Sequence, residues 1–160
     1  MKVVSDTGPL IALAKVDLLP LFNRLFGQVS IPPAVQVELL AKRGPESPRL
    51  EKALEESIQV ETVFTTPKDV ERLTHGLGAG ERQAIGLALH LRTALIIDER
   101  SGRLAAKQLG VKITGTVGIL LQAKQAGLVE SVGTILDQIR LGGYWISESL
   151  IEEATSRAGE

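Results

Sequence analysis

The chain has 160 residues, enough for one ordinary domain with a substantial core, and its 44% apolar and 23% charged content is that of a folded globular protein. Eighteen Lys plus Arg against 19 Asp plus Glu give a net charge of −1, which excludes a uniformly basic nucleic-acid coat while leaving room for a local basic groove. The absence of cysteine excludes disulfides and thiolate metal sites, and aromatics at 3%, with one Trp and one Tyr, argue against base-stacking platforms. No apolar run approaches the roughly 18 residues needed to cross a bilayer. Asp6 and Pro9 interrupt any signal-peptide core, so the expected compartment is the cytoplasm, with no membrane partner.

Elements alternate along the chain, with no linker, repeat or low-complexity segment. Lys2 to Ser5 reads as a short buried strand and Pro9 to Leu25 as one or two short helices interrupted near Pro20. Gln28 to Ile31 is a second strand, closed by Pro32-Pro33, and a helix from about Pro33 to Lys42 follows because proline is tolerated in a first helical turn. Residues 44 to 48 form a loop, Pro48 to Glu56 a short helix, and the alternation over Ile58 to Val63 a strand with one wetter face. Thr66-Pro67-Lys68-Asp69 reads as a helix start with Thr66 as N-cap.

Gly80 to Arg92 has the apolar spacing of a helix with a wide buried face, and Ala94 to Ile97 is a wholly apolar strand of the kind covered on both sides. Glu99 to Leu109 is a helix closed by Gly110, Val111 to Ile113 the last strand, and Thr116 to Gln125 a helix ended by Gly127. Val129 to Arg140 and Ser147 to Arg157 complete the helical set. Strand–helix alternation with short loops predicts a three-layer α/β/α domain on a parallel sheet, with ligands at the carboxyl ends of the strands. The whole chain, 1–160, reads as one domain: a core of about 1–125, and C-terminal helices over about 129–160 that cover it or form an interface.

Four carboxylates punctuate this pattern. Asp6 and Asp98 each close a buried strand, Glu38 sits in the mostly apolar helix Ala34 to Ala41, and Glu81 follows the run Gly76-Leu77-Gly78-Ala79-Gly80. Taken singly, each has a structural account: Asp6 or Thr7 as an N-cap, Asp98 as the cap of the helix that Glu99 opens, Glu81 as a partner of the helix dipole, Glu38 as a solvated side chain. Jointly they point to a metal site, because converging carboxylates require a cation and a lone acid near an apolar face requires a partner. Glu99 adds a fifth acid at the Asp98 tip, either turned inward or serving as a first-turn dipole partner.

Oxygen-only ligands select hard ions, so the expected cofactor is Mg²⁺ or Mn²⁺; zinc is disfavoured because His75 and His90 stand fifteen positions apart without companion ligands. The glycines at 76, 78 and 80 do not make the dinucleotide spacing, and no P-loop is present. Arg100, Arg103 and Lys107 fall at i, i+3 and i+7 on the helix after Asp98. A solvated face explains them, and so does contact with an anionic backbone: a phosphodiester needs a metal at the scissile phosphate and cations along its flanks.

Five segments in order, within about residues 1 to 125, carry a family resemblance. They are Val3-Val4-Ser5-Asp6-Thr7-Gly8-Pro9-Leu10-Ile11, Ile31-Pro32-Pro33-Ala34-Val35-Gln36-Val37-Glu38-Leu39, Gly78-Ala79-Gly80-Glu81-Arg82-Gln83-Ala84-Ile85, Leu95-Ile96-Ile97-Asp98-Glu99-Arg100 and Ile113-Thr114-Gly115-Thr116-Val117-Gly118. In these the chain resembles the PIN-domain metal-dependent ribonucleases, most closely the VapC-like toxin branch. The resemblance implies a Rossmann-like sheet of about five parallel strands, with Asp6, Glu38, Glu81 and Asp98 as the metal-binding and catalytic set. It also implies RNA as substrate, pairing as a homodimer and neutralisation by a small antitoxin protein. The third acid is Glu81 where many members have Asp, so its carboxylate reaches further and binds metal through water. Thr7 and Thr116 are candidates for orienting water or phosphate, with N-capping as their other role. Two rivals are weighed: a non-catalytic α/β module with a degenerate PIN site for binding protein or metal, and a receiver-type phosphoryl-transfer domain, which lacks its acceptor Asp.

Overall fold

The computed structural model describes residues 1–160. Five strands are joined by ten helices: β1 Lys2–Ser5, α1 Thr7–Lys15, α2 Pro20–Phe26, β2 Gln28–Ile31, α3 Pro33–Ala41, α4 Ser47–Glu56, β3 Ile58–Val60, α5 Lys68–Leu73, α6 Ala79–Leu91, β4 Ala94–Ile96, α7 Arg100–Gln108, β5 Ile113–Thr114, α8 Thr116–Gln125, α9 Val132–Leu141 and α10 Glu148–Arg157. The sheet is entirely parallel, in the order β3-β2-β1-β4-β5. Its strands are short and apolar, with Val3, Val4, Val29, Ile31, Leu95 and Ile96 essentially inaccessible, because helices cover both faces of the sheet.

The chain builds outward from β1 through β2 to β3, then returns to the other side of β1 for β4 and β5. The order therefore reverses between β1 and β4, where a crevice opens at the carboxyl ends of the strands. The register fixes what stands there. Val4 is opposite Leu95 and Ser5 opposite Ile96, and the ladder runs one step further as the Asp6 amide donates to the Ile96 carbonyl at 2.8 Å. Asp6 and Asp98 are thus brought to one strand-end crevice although 92 positions separate them.

One hydrophobic cluster of 37 buried residues runs through the molecule and includes Val132, Leu136, Ile139, Ile151 and Ala154 of the last two helices. Those helices therefore contribute to the core, α9 packing on α1 and α8, and α10 on α8 and α9. No helix is long and apolar enough to cross a membrane.

Several boundaries depart from the sequence pattern. α1 begins at Thr7, ahead of Pro9, and α9 at Val132 rather than Val129. β3 stops at Val60 although the alternation continues to Val63, because its neighbour β2 gives way to Pro32: the Glu61 amide reaches the Ile31 carbonyl at 2.9 Å, and no strand lies alongside residues 62 and 63. α5 begins at Lys68 with Pro67 in the cap position, so Thr66 is not its cap. β5 lies at Ile113–Thr114, shifted toward the carboxyl side of Val111–Ile113, where Thr114 pairs with Ile96.

Candidate active site

Asp6 occupies the backbone cap position of α1 in extended conformation, but its side chain makes no capping bond. It is 5% exposed, and its Oδ1 is buried with no hydrogen-bond partner. A buried carboxylate oxygen without a donor is costly, so its presence requires a separate explanation. Burial first, opposed by a hydrogen bond from the Thr7 amide, and then the negative charges of Glu38, Asp98 and Glu99, push its carboxyl up to about 6.

Asp98 is the opposite case, held on both oxygens. The Thr116 amide donates to Oδ1 at 2.7 Å, the Thr116 hydroxyl to Oδ2 at 2.6 Å and the Tyr144 phenol to Oδ2 at 2.5 Å. Gly115 belongs to this cradle, since a Cβ there would lie 2.6 Å from Oδ1. Tyr144 is raised well above the usual phenol range by burial and by the Asp98 charge, so it stays a donor at any ordinary pH. Asp98 does not cap α7. Glu99 does, its Oε2 accepting from the Gly102 amide at 2.8 Å, while its charge stays near Asp6 and Glu81.

Glu38 lies on the side of α3 that packs against α6. The Thr7 hydroxyl donates to its Oε2 at 2.5 Å and the Gly80 amide, in the first turn of α6, to its Oε1 at 3.1 Å. A Cβ at residue 80 would stand 2.6 Å from both carboxylate oxygens, so only glycine admits this approach. Glu38 is therefore not a freely solvated side chain. Glu81, one residue on, is pushed up to about 7 by partial burial, then by the charges of Asp6, Glu99 and Glu38, with a hydrogen bond to Glu99 contributing. All four candidate acids, together with Glu99, thus belong to one electrostatically coupled group.

Thr7 and Thr116 do not cap their helices. Each is the first helical residue, after Asp6 and Gly115 respectively, and each spends its hydroxyl on an acid from another element. The basic stripe also divides. Arg100 and Lys107 are exposed, whereas Arg103 is half-buried and turns its Nη1 to the Ile97 carbonyl at 2.8 Å, beside Asp98. His75 and His90 are exposed, and neither forms a metal cluster. Tyr144 has no counterpart in the strand-tip pattern; the one available signal is that the chain's single Tyr and single Trp are adjacent, at 144 and 145, after Gly142-Gly143.

The donor set suits a small hard cation. It is all oxygen, and Asp6 offers a buried, unpartnered carboxylate oxygen amid surplus negative charge. No group of three His, Asp or Glu side chains is arranged to hold an ion together. A cation here would take one or two carboxylates and complete its shell with water, which is the usual habit of Mg²⁺.

The family model DUF3368, described as a PIN domain, matches residues 2–160. A solved structure, that of a PilT N-terminus domain protein from the hyperthermophilic archaeon Sulfolobus solfataricus P2, is similar over 92% of this chain and 98% of that one. Its TM-score is 0.51 at 16% identity, a likeness of fold. No curated protein matches the sequence.

Proposed function

The chain belongs to the PIN-domain family, whose members are generally nucleases that use divalent metal ions, and we propose that this one is a metal-dependent endoribonuclease acting at Asp6, Glu38, Glu81 and Asp98. One observation carries the reading: a carboxylate with an unpartnered buried oxygen, set among like charges at the switch point of a parallel sheet. As pure structure that arrangement is unfavourable, and it is the kind of strain functional sites retain.

Asp6 would hold a Mg²⁺ or Mn²⁺ ion, with Asp98 as second ligand once Thr116 and Tyr144 have fixed its carboxylate. When bound, such an ion supplies neutralisation of charge on phosphoryl oxygens and a lowered pKa for water. Glu38, pinned by Thr7 and Gly80, keeps negative charge on the opposite side and orients water. Glu81, with its carboxyl near 7, is able to accept the proton of a water attacking phosphorus as the bond to the leaving oxygen breaks. Arg100 and Lys107, exposed after the Asp98 tip, are suited to flanking phosphates.

Pairing of two copies belongs to the same proposal; the exposed Val37 and Leu40 on α3 supply an apolar patch for it, and sedimentation measures it. Neutralisation by a small antitoxin protein is the family-based part of the reading, tested by co-purification from the source cells. The function itself is tested by incubating the protein with total RNA in Mn²⁺ or in chelator. Cleavage is expected only with metal, and is expected to vanish in Asp6→Asn and Asp98→Asn. Undiminished cleavage by both variants overturns the proposal; a folded protein that binds Mn²⁺ but cleaves nothing favours the binding-module alternative.

A further inference from the structure

A cavity of about 570 Å³ opens beside Asp98, between the β5 edge, the start of α8 and the loop joining α9 to α10. Its lining includes Asp98, Arg103, Trp145, Glu153 and Arg157. Trp145 is 84% exposed and leaves a broad aromatic face open to solvent beside the cavity. It is nevertheless held in place, because its neighbours are anchored on either side: Tyr144 by its bond to Asp98 and Ile146, 4% exposed, in the core. The loop thus ties Asp98 to an aromatic face presented to solvent.

We infer that this groove seats a nucleotide of single-stranded RNA next to the scissile phosphate, its base stacked on Trp145 and its phosphates met by Arg103 and Arg157. Such an occupant presupposes the ribonuclease reading and fixes where the substrate of that reaction lies. Three features select it. The volume is that of a small-ligand site. Neither arginine is in an ion pair with the chain's own carboxylates, and their two charges face only Glu153 and the already bonded Asp98. The groove shares Asp98 with the acid cluster, so a nucleotide seated in it lies beside one of the candidate ligands. A flat aromatic face with guanidinium groups free of ion pairs, Arg157 exposed and Arg103 holding the Ile97 carbonyl through one nitrogen, is the combination that holds single-stranded nucleic acid without reading a fixed sequence. The low aromatic content of the chain therefore does not remove stacking; its only tryptophan stands on the wall of this groove.

That tryptophan makes the site directly observable, because all tryptophan emission of the protein comes from it. Wild-type protein is mixed with a single-stranded RNA oligonucleotide and Mn²⁺ in a stopped-flow fluorimeter, and cleavage is followed in the same samples. The expected result is quenching before cleavage, saturating near KM. Trp145→Ala should raise KM about ten- to a hundred-fold with kcat within a few-fold, and Trp145→Phe should recover most of the loss. Arg157→Gln, at an exposed position, should weaken binding several-fold and lower the salt slope by about 0.7. Cleavage by wild type together with unchanged KM in Trp145→Ala overturns the inference and leaves the ribonuclease reading standing. Failure of wild type to cleave or bind any RNA overturns both. Emission that shifts with protein concentration alone, and not with RNA, overturns the inference in favour of a protein interface.

Discussion

Asp6→Asn should make the protein inactive and more stable, and the size of the gain comes from the site. The carboxyl is moved from 3.8 to about 6. Roughly two pH units at about 1.4 kcal/mol each give about 3 kcal/mol of destabilisation in the metal-free protein at pH 8. Asparagine removes the charge but leaves a buried amide atom with the same lack of partners, returning about 1–2 kcal/mol. The net gain is about 1–2 kcal/mol, or a rise in Tm of about 3–6 °C for a chain of this size. The sign depends on pH. Between about pH 4 and 6 the folded carboxyl keeps a proton that the unfolded one has released, so wild-type stability falls as pH rises through that window and the deficit is complete above it. The variant should therefore melt below wild type at pH 4, where only the buried amide's cost of about 1–2 kcal/mol remains, and above it at pH 8, a swing of about 3 kcal/mol. Thermal melts by circular dichroism in chelator, across that range, measure it. A variant that melts below wild type at pH 8, or a difference that does not change with pH, refutes the reasoning. Adding Mn²⁺ should raise the wild-type Tm and leave Asp6→Asn nearly unmoved, since only a state that binds the ion gains from it.

Tyr144→Phe removes one hydrogen bond to a charged Asp98 oxygen and should cost about 1.5–3 kcal/mol of stability; cleavage should fall about ten-fold, corresponding to ~1.4 kcal/mol in the barrier, and wild-type values in both melts and cleavage assays would show that the phenol does not position Asp98. Gly80→Ala puts a methyl 2.6 Å from both Glu38 oxygens, the free end of a side chain that swings aside, so cleavage should fall with helix content unchanged by circular dichroism; wild-type cleavage by Glu38→Gln would remove Glu38 from the site. The cleavage rate should rise with pH and level off above about 7, because Glu81 must lose its proton to accept another; a Glu81→Gln protein that keeps both the rate and the profile would assign that limb to a different group.

The fold was legible wherever burial was uniform. Val3-Val4 and Ala94-Leu95-Ile96 have no polar alternative to a strand covered on both faces, and their parallel pairing follows from the helices between them. Legibility failed where a neighbour decided the outcome. The alternation through Val63 has strand periodicity, but pairing needs a partner, and Pro32 turns β2 away after Ile31. The joint placement of Asp6 and Asp98 was legible for the same reason as the strands: each acid is the first charged residue beyond a buried run, so adjacent strands set them side by side.

What holds the acids was not legible, and the reason is a shift of one residue. A hydroxyl at the N-cap accepts from its own helix, whereas at the first helical position it is free to donate elsewhere. Sequence patterns place helix starts no better than that, so Thr7 and Thr116 read as caps. In the fold each is one position inside, and its hydroxyl turns to Glu38 or Asp98. Those two acids take every donor from elements other than their own: Glu38, on α3, from α1 and α6, and Asp98, after β4, from α8 and the loop before α10. Asp6 alone receives no donor on its buried oxygen. Two acids fixed in place and one left unsatisfied is an arrangement that folding by itself does not favour, and a cation drawn to Asp6 would complete it.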